Sequence, residues 1–263
     1  MGTDAPPAFL TAAGHPVRWR LLSALAGSDL AVHELTDRLG QPQNLISYHL
    51  GKLRKAGLVT ARRSSADGRD TYYTLHLARC SAMLTGTGAA LHPALRLSPP
   101  APARPSRVRV LFLCTGNSAR SPMAEAVLRR LTTDGVEVYS AGVNPKPLHR
   151  YAVRALAARG IPPPETGPTH VSQLTGGFDH VITLCDRVKE VCPSFDGPSQ
   201  AISPDSPGQA VSPDGRDRAV SPGRPRKAHW SIPEPVAPTD FDHVADQLTE
   251  RIGFFLHTLA EES

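Results

Sequence analysis

Long apolar runs are missing from this chain. No stretch of its 263 residues approaches the roughly eighteen consecutive apolar positions of a membrane-spanning helix. The first ten residues, MGTDAPPAFL, hold no basic segment followed by an apolar one. No secretory leader is therefore expected, and the reading is cytoplasmic. Cysteine is scarce: four in the whole chain cannot make a disulfide scaffold, and a cytosolic protein keeps them as thiols. Charged residues are only 20% of the sequence, against 26 prolines and 21 glycines, which describes structured units separated by loop-rich stretches. Secreted, collagen-like and membrane classes are excluded. The length is about twice that of a modal domain, so two domains are expected.

Positive charge is unevenly placed. Residues 1–96 carry 11 Lys/Arg against 6 Asp/Glu, whereas residues 97–263 carry 18 of each. A small domain holding the whole surplus is what binding to a phosphate backbone requires. Two stretches read as connectors. Residues 91–106, LHPALRLSPPAPARPS, hold five prolines and form a semi-rigid tether. Residues 193–227 are rich in Pro, Ser, Gly and Asp and contain a nine-residue repeat starting at Ala201, Ala210 and Ala219. Each unit has too few apolar residues to offset its ordering entropy, so a disordered insertion over about 197–227 is expected. The resulting division is 1–90, a tether at 91–106, and 107–263.

In the first third, Phe9, Leu10, Val17, Leu21, Leu22 and Leu25 fall at helical spacings broken at Pro16. LAVHELTDRLG, residues 30–40, is a short helix stopped by Gly40, and a turn at Gln41-Pro42 leads to QNLISYHLGKLRKAGL. There Leu45, Ile46, Leu50 and Leu53 make one apolar face. Two short helices around a tight turn are a helix-turn-helix. Residues 59–75, VTARRSSADGRDTYYTL, then read as a hairpin, giving the order of a winged helix. The third helix presents Gln43, Asn44, Ser47, Tyr48 and His49, then Lys52, Arg54 and Lys55. Gln and Asn can pair with adenine edges while Lys and Arg neutralise phosphates. Arg62, Arg63 and Arg69 sit where a wing meets the backbone or minor groove.

The stretches GHPVRWRLLSAL, ELTDRLGQPQNLISYHLGKLRKAGLVTARR and DGRDTYYTL make residues 8–80 resemble the ArsR family of metal-responsive repressors. The resemblance implies a homodimer through the N-terminal domain that binds a double-stranded DNA operator and is released by an inducer. Members that sense arsenite often carry a cysteine pair in the helix before the recognition helix, and VHELTDRLG has none. Cys80 is the lone cysteine of this third, and His76 four residues earlier makes only half a metal site; a buried cysteine and a solvated histidine are the favoured reading, with no metal expected. Sensing is then carried either by Cys80 across a dimer or by the redox state of the other cysteines.

The most informative stretch is residues 107–132, RVRVLFLCTGNSARSPMAEAVLRRLT. Val108 and Val110–Leu113 suit a buried parallel strand; CTGNSARS is a loop of small residues, and a helix follows with Pro122 near its start. Loop N–H groups and the positive end of the helix would converge on one point, an oxyanion site, made of Thr115, Gly116, Asn117, Ser118, Ala119 and Ser121. Cys114 is placed as the nucleophile, and Arg120 offers a planar fork to two oxygens of a tetrahedral anion. Ser121 can donate to the sulfur, Asn117 can brace the loop, and Gly116 permits positive φ. Thr239 and Asp242 can form a capping box on a last helix whose apolar face is Phe241, Val244, Leu248, Ile252, Leu256 and Leu259. The pattern Cys-x5-Arg-Ser resembles the low-molecular-weight tyrosine phosphatases. It implies a four-stranded parallel sheet with helices on both faces and the anion loop at the strand carboxyl ends. The overall fold class is thus an α+β winged helix-turn-helix followed by an α/β domain.

The other cysteines separate two chemistries. Cys185 and Cys192 are seven apart, so on a helix their Cα atoms would lie about 10.5 Å apart, beyond the roughly 4.4–6.8 Å of a disulfide. Pairing them requires the segment to unwind, which a phosphatase does not need. With CTGNSARS and AHWSIPEPVAP, this stretch resembles the thioredoxin-coupled arsenate reductases over residues 107–259. That resemblance implies a relay in which Cys114 takes arsenate, Cys185 attacks Cys114, and Cys192 carries the disulfide to thioredoxin or a low-molecular-weight thiol, with no bound cofactor. The family shows Asp-Pro where Glu234-Pro235 stands, so Glu234 is the candidate general acid or base. The alternatives are a protein tyrosine phosphatase with a DNA-binding domain, and a non-catalytic oxyanion- or redox-sensing transcription factor.

Overall fold

The computed structural model describes residues 5–66, 68–95, 108–132, 135–191 and 225–260. Helices α1 (Ala8–Ala13) and α2 (Pro16–Leu25) open the chain, with Pro16 at the first helical position, where a missing N–H costs nothing. Strand β1 (Leu30–Ala31) leads into α3 (Val32–Leu39). Glu34 Oε2 accepts the Ala31 N–H at 2.8 Å at the start of this helix, and Gly40 with φ of 63° ends it. Helix α4 (Gln43–Lys55) is the second helix of the helix-turn-helix. Its residues Ile46, Leu50 and Leu53 are completely buried, while Leu45, expected on the same face, is half-buried. Strands β2 (Val59–Arg63) and β3 (Thr71–Leu75) form the wing, and α5 (Leu77–Leu91) follows. The sheet order is β1-β3-β2, all antiparallel. Alternation in TYYTL buries Tyr72 at 2% exposure.

The second unit is a four-stranded parallel sheet in the order β5-β4-β6-β7. Its strands are β4 (Val108–Cys114), β5 (Val136–Gly142), β6 (His180–Thr183) and β7 (Arg226–His229). Strand β4 is central, and Val110, Leu111, Phe112 and Leu113 are all buried, as an uninterrupted apolar run in a covered parallel sheet requires. Helices α6 (Arg120–Leu131), α7 (Arg150–Ala157), α8 (Asp186–Val191) and α9 (Pro238–Ala260) complete the domain. Phe241, Val244, Leu248, Ile252, Leu256 and Leu259 lie along the buried side of α9.

Three expectations change. The insertion was expected to run to residue 227, but Arg226 and Lys227 already belong to β7, where Arg226 N–H bonds Asp179 C=O at 2.8 Å. Residues 197–224 of the insertion, Cys192 and tether residues 96–106 lie outside the described residues. Helix α9 is not capped by Thr239 and Asp242: Asp240 Oδ2 accepts the N–H groups of Val236 (3.0 Å) and Ala237 (2.8 Å), and Asp242 pairs with Arg159 at 3.0 Å. The positive φ in the small-residue loop belongs to Asn117, at 43°, and not to Gly116.

The two units touch through a polar interface. Buried Asp29 accepts the Ser231 N–H at 2.7 Å and pairs with Arg251 at 2.9 Å, while its own N–H bonds His229 C=O at 2.7 Å. Lys189 of α8 pairs with Glu34 of α3 at 2.7 Å. Among the described residues no helix is long and apolar enough to cross a membrane.

Candidate active site and nucleic-acid interface

Strand β4 ends at Cys114, α6 begins at Arg120, and the five residues between them form a tight loop. The loop is held from outside. Thr115, Gly116 and Ser118 carbonyls accept the N–H groups of Asn144, Lys146 and His149 at 2.8–2.9 Å. Gly142 packs beneath: a Cβ there would lie 2.7 Å from Thr115 O and 2.8 Å from Asn117 N, so this glycine is needed for close approach. Asn117 is buried in the left-handed region, which a short polar side chain tolerates when it bonds locally. Its Oδ1 accepts Thr169 N–H at 2.8 Å, and its Nδ2 donates to Ser121 Oγ at 3.0 Å and Ser140 Oγ at 2.9 Å. Ser121 Oγ lies 3.0 Å from Cys114 Sγ. Having accepted from Asn117, it has one proton that reaches either the sulfur or the Ala141 C=O, 3.4 Å away.

Arg120 is buried, with Nη1 donating to Ile232 C=O at 3.1 Å and Nη2 3.9 Å from the exposed carboxylate of Glu234. The first N–H groups of α6 have no partner within the helix, so the loop and the helix end together offer donors and positive potential to an anion. Cys114, Arg120, Cys185 and Glu234 all line one cleft of about 180 Å³. Cys185 Sγ is 3.2 Å from Thr115 Oγ1, which brings the second cysteine to the loop that follows Cys114. A larger cavity of about 440 Å³ lies between the domains near Asp29, Trp230 and Arg251, and no loop residue lines it.

Cleft residues that sequence reasoning missed are Lys146, His149, Arg187, Phe241 and Ser65. His149 stacks on Phe241 with centroids 4.6 Å apart. No spacing signal connects them to Cys114, because they arrive from separate loops and helices. Also missed was Asp186, which follows Cys185 and is fully buried. Burial alone would push its carboxyl up. Hydrogen bonds from His229, Ser231, the Ser65 N–H and Arg62 outweigh this and hold it far below the usual carboxylate range.

Comparison with known proteins places this geometry. Residues 109–202 match the family described as low molecular weight phosphotyrosine protein phosphatase, and residues 15–61 match the family described as bacterial regulatory protein, arsR family. An arsenate reductase of Halalkalibacterium halodurans is 38% identical over 104 residues, covering 35% of this chain and 75% of that protein. The chain joins an ArsR-family domain to a member of the low-molecular-weight phosphatase family. An arsenate reductase of Bacillus cereus is 29% identical over 152 residues, 57% of this chain and 94% of that protein. A solved arsenate reductase in the oxidized state superposes with a TM-score of 0.44 at 19% identity, covering 57% of this chain and 98% of that one.

In the ArsR domain, Gln43, Asn44, Ser47, Tyr48, Lys52, Arg54 and Lys55 are exposed on α4, with Lys52 Nζ 5.4 Å from the Tyr48 ring centroid. His49 does not join them. It is 4% exposed and its ring lies 4.4 Å from that of His15, so its place on the nucleic-acid face is withdrawn. Burial, then His15 and Arg18, hold it below the ordinary histidine value. Arg63 and Arg69 are exposed on the wing. Arg62 is turned the other way, donating to Asp186 Oδ2 at 2.6 Å and to Ser231. Cys80 is buried, which pushes its thiol up, and among the described residues no three His, Cys, Asp or Glu side chains gather as a metal site.

Proposed function

We propose that the phosphatase-family domain reduces arsenate to arsenite and that the ArsR-family domain beside it represses the transcription of arsenic-resistance genes. The observation that carries this reading is the second buried cysteine: Cys185 reaches the loop of Cys114 through Thr115, 3.2 Å away. The relatives described above are named arsenate reductases. In the proposed reaction the Cys114 thiolate displaces one arsenate oxygen, which leaves as water with protons passed by Glu234. Arg120 and the loop N–H groups hold the remaining oxygens. The Cys185 thiolate then attacks Cys114 Sγ. The sulfur–arsenic electron pair stays on arsenic, arsenite leaves, and a Cys114–Cys185 disulfide remains. Cys192 attacks Cys185, freeing Cys114, and thioredoxin or a small thiol reduces the last disulfide.

On the DNA side, the exposed face of α4 with Arg63 and Arg69 would meet an operator. A homodimer through the N-terminal domain belongs to the same proposal, and Leu10 of α1 with Leu84 and Leu91 of α5, which are 47%, 37% and 74% exposed, are apolar side chains it could cover. The test is arsenate-dependent NADPH oxidation with thioredoxin and thioredoxin reductase. Turnover is expected in the wild type and lost in Cys114→Ser, Cys185→Ser and Cys192→Ser. Undiminished turnover in Cys185→Ser would refute the relay, and p-nitrophenyl phosphate hydrolysis without arsenate turnover would establish a phosphatase instead.

A further inference from the structure

The wing of the ArsR domain does not stand free. Its turn between β2 and β3 is docked on α8, the helix that follows Cys185. Ser65 places both its N–H (2.7 Å) and its Oγ (2.9 Å) on Asp186 Oδ2, and Arg62 reaches the same oxygen at 2.6 Å. Ser64 Oγ and Tyr72 OH bond Glu190 Oε1 at 2.6 and 3.0 Å. Charged hydrogen bonds onto a buried carboxylate are the strong kind, so the turn is held in one place. That place is the edge of the catalytic cleft: Ser65 lines it together with Cys114, Cys185 and Arg187.

We propose that the wing is a wall of the catalytic cleft, with Ser65 a specificity-determining residue that limits the substrate to small tetrahedral oxyanions. This rests on the reading of Cys114 as the oxyanion nucleophile. The bounded volume of about 180 Å³ is below the roughly 300–1,000 Å³ of sites that enclose drug-sized ligands. It suits an inorganic anion and a few waters. A phosphorylated side chain of a protein would have to bring its flanking backbone past the docked turn on the α8 side. The anion-binding loop itself is indifferent to what the fourth oxygen carries; the wing is the element that discriminates.

The test uses the full-length protein and reads protection of Cys114 from iodoacetamide by mass spectrometry, which needs no turnover. Inorganic phosphate should protect the wild type, and a phosphotyrosine peptide should protect it at least tenfold less well. In Arg62→Ala/Glu190→Ala, which cuts the wing's ties through Arg62, Ser64 and Tyr72 and leaves it held on α8 by Ser65 alone, the peptide should gain at least tenfold while phosphate changes less than threefold. Ser65→Trp, a change at an exposed turn position that spares the core, should weaken phosphate protection at least tenfold and slow alkylation. Equal protection of the wild type by peptide and phosphate would overturn the proposal, as would no gain in the double variant together with no effect of Ser65→Trp. Absence of phosphate protection in every form would instead refute the oxyanion reading of Cys114.

Discussion

Replacing Asp186 by Asn should cost this protein a large part of its stability, because the carboxylate has been fully surrounded by donors. Oδ2 accepts from Arg62 Nη2 and from the N–H and Oγ of Ser65, and Oδ1 faces His229 Nε2 at 3.1 Å and Ser231 Oγ at 2.6 Å. An asparagine keeps one acceptor oxygen and turns an amide NH2 toward donors. The Arg62 guanidinium, 30% exposed, loses its counter-charge. Removing one partner of a buried pair costs about 3–5 kcal/mol. At about 2–4 °C per kcal/mol for a chain of this size, the melting temperature should fall by roughly 6–20 °C. Differential scanning calorimetry of wild type, Asp186→Asn, Arg62→Met and the double variant gives the pair's coupling, expected at about 1.5–3 kcal/mol. A fall under 2 °C in Asp186→Asn, or a coupling under roughly 0.5 kcal/mol, would refute the argument that this carboxylate ties the two domains together. The sign with pH follows from the depressed carboxyl: its contribution is complete above the ordinary value of 3.8 and is lost only as pH falls below it toward the folded value.

Other outcomes follow from the same structure. Gly142→Ala should disable the anion loop, since its Cβ would overlap Thr115 O and Asn117 N; phosphate protection of Cys114 measured as above should fall at least tenfold, and unchanged protection would show that the loop can shift at no cost. His180 is held below its ordinary value of 6.5, by burial first and by Arg226 second, against a smaller opposing effect of Asp179. The unfolded chain therefore takes up the proton first as pH drops through 6.5, so stability should decline from pH 7 to 5; thermal melts of wild type and His180→Asn across that range should converge, and parallel curves would contradict this. Because Arg62 and Ser65 are engaged on Asp186, and Ser64 and Tyr72 on Glu190, release of the wing by Asp186→Ala/Glu190→Ala should tighten binding to a short DNA duplex several-fold at low salt by fluorescence anisotropy. An unchanged dissociation constant would mean that docking and DNA binding do not compete.

What the sequence determined by itself was local and periodic. Helix spacing in QNLISYHLGKLRK, alternation in TYYTL and the unbroken apolar run before Cys114 each dictate an element and the face it buries, since burial and backbone bonding act over a few residues. Cys-x5-Arg-Ser marked the loop between β4 and α6 for the same reason: Cys114, the loop N–H groups and the helix end lie within eight positions. His49 was misread because its spacing on α4 does not reveal that His15, from α2, covers it. Strand β7 was invisible because Arg226 and Lys227 are polar residues whose place at the sheet edge comes only from pairing with β6. Tertiary structure alone decided the neighbours of the cleft. Lys146 and His149, Phe241, and Ser65 come from three segments, and the wing that reads as a DNA contact is fastened to Asp186, 121 positions further along from Ser65. Such contacts are chosen by which surfaces two folded domains can bury together without stranding a charge, and no short-range pattern records that choice.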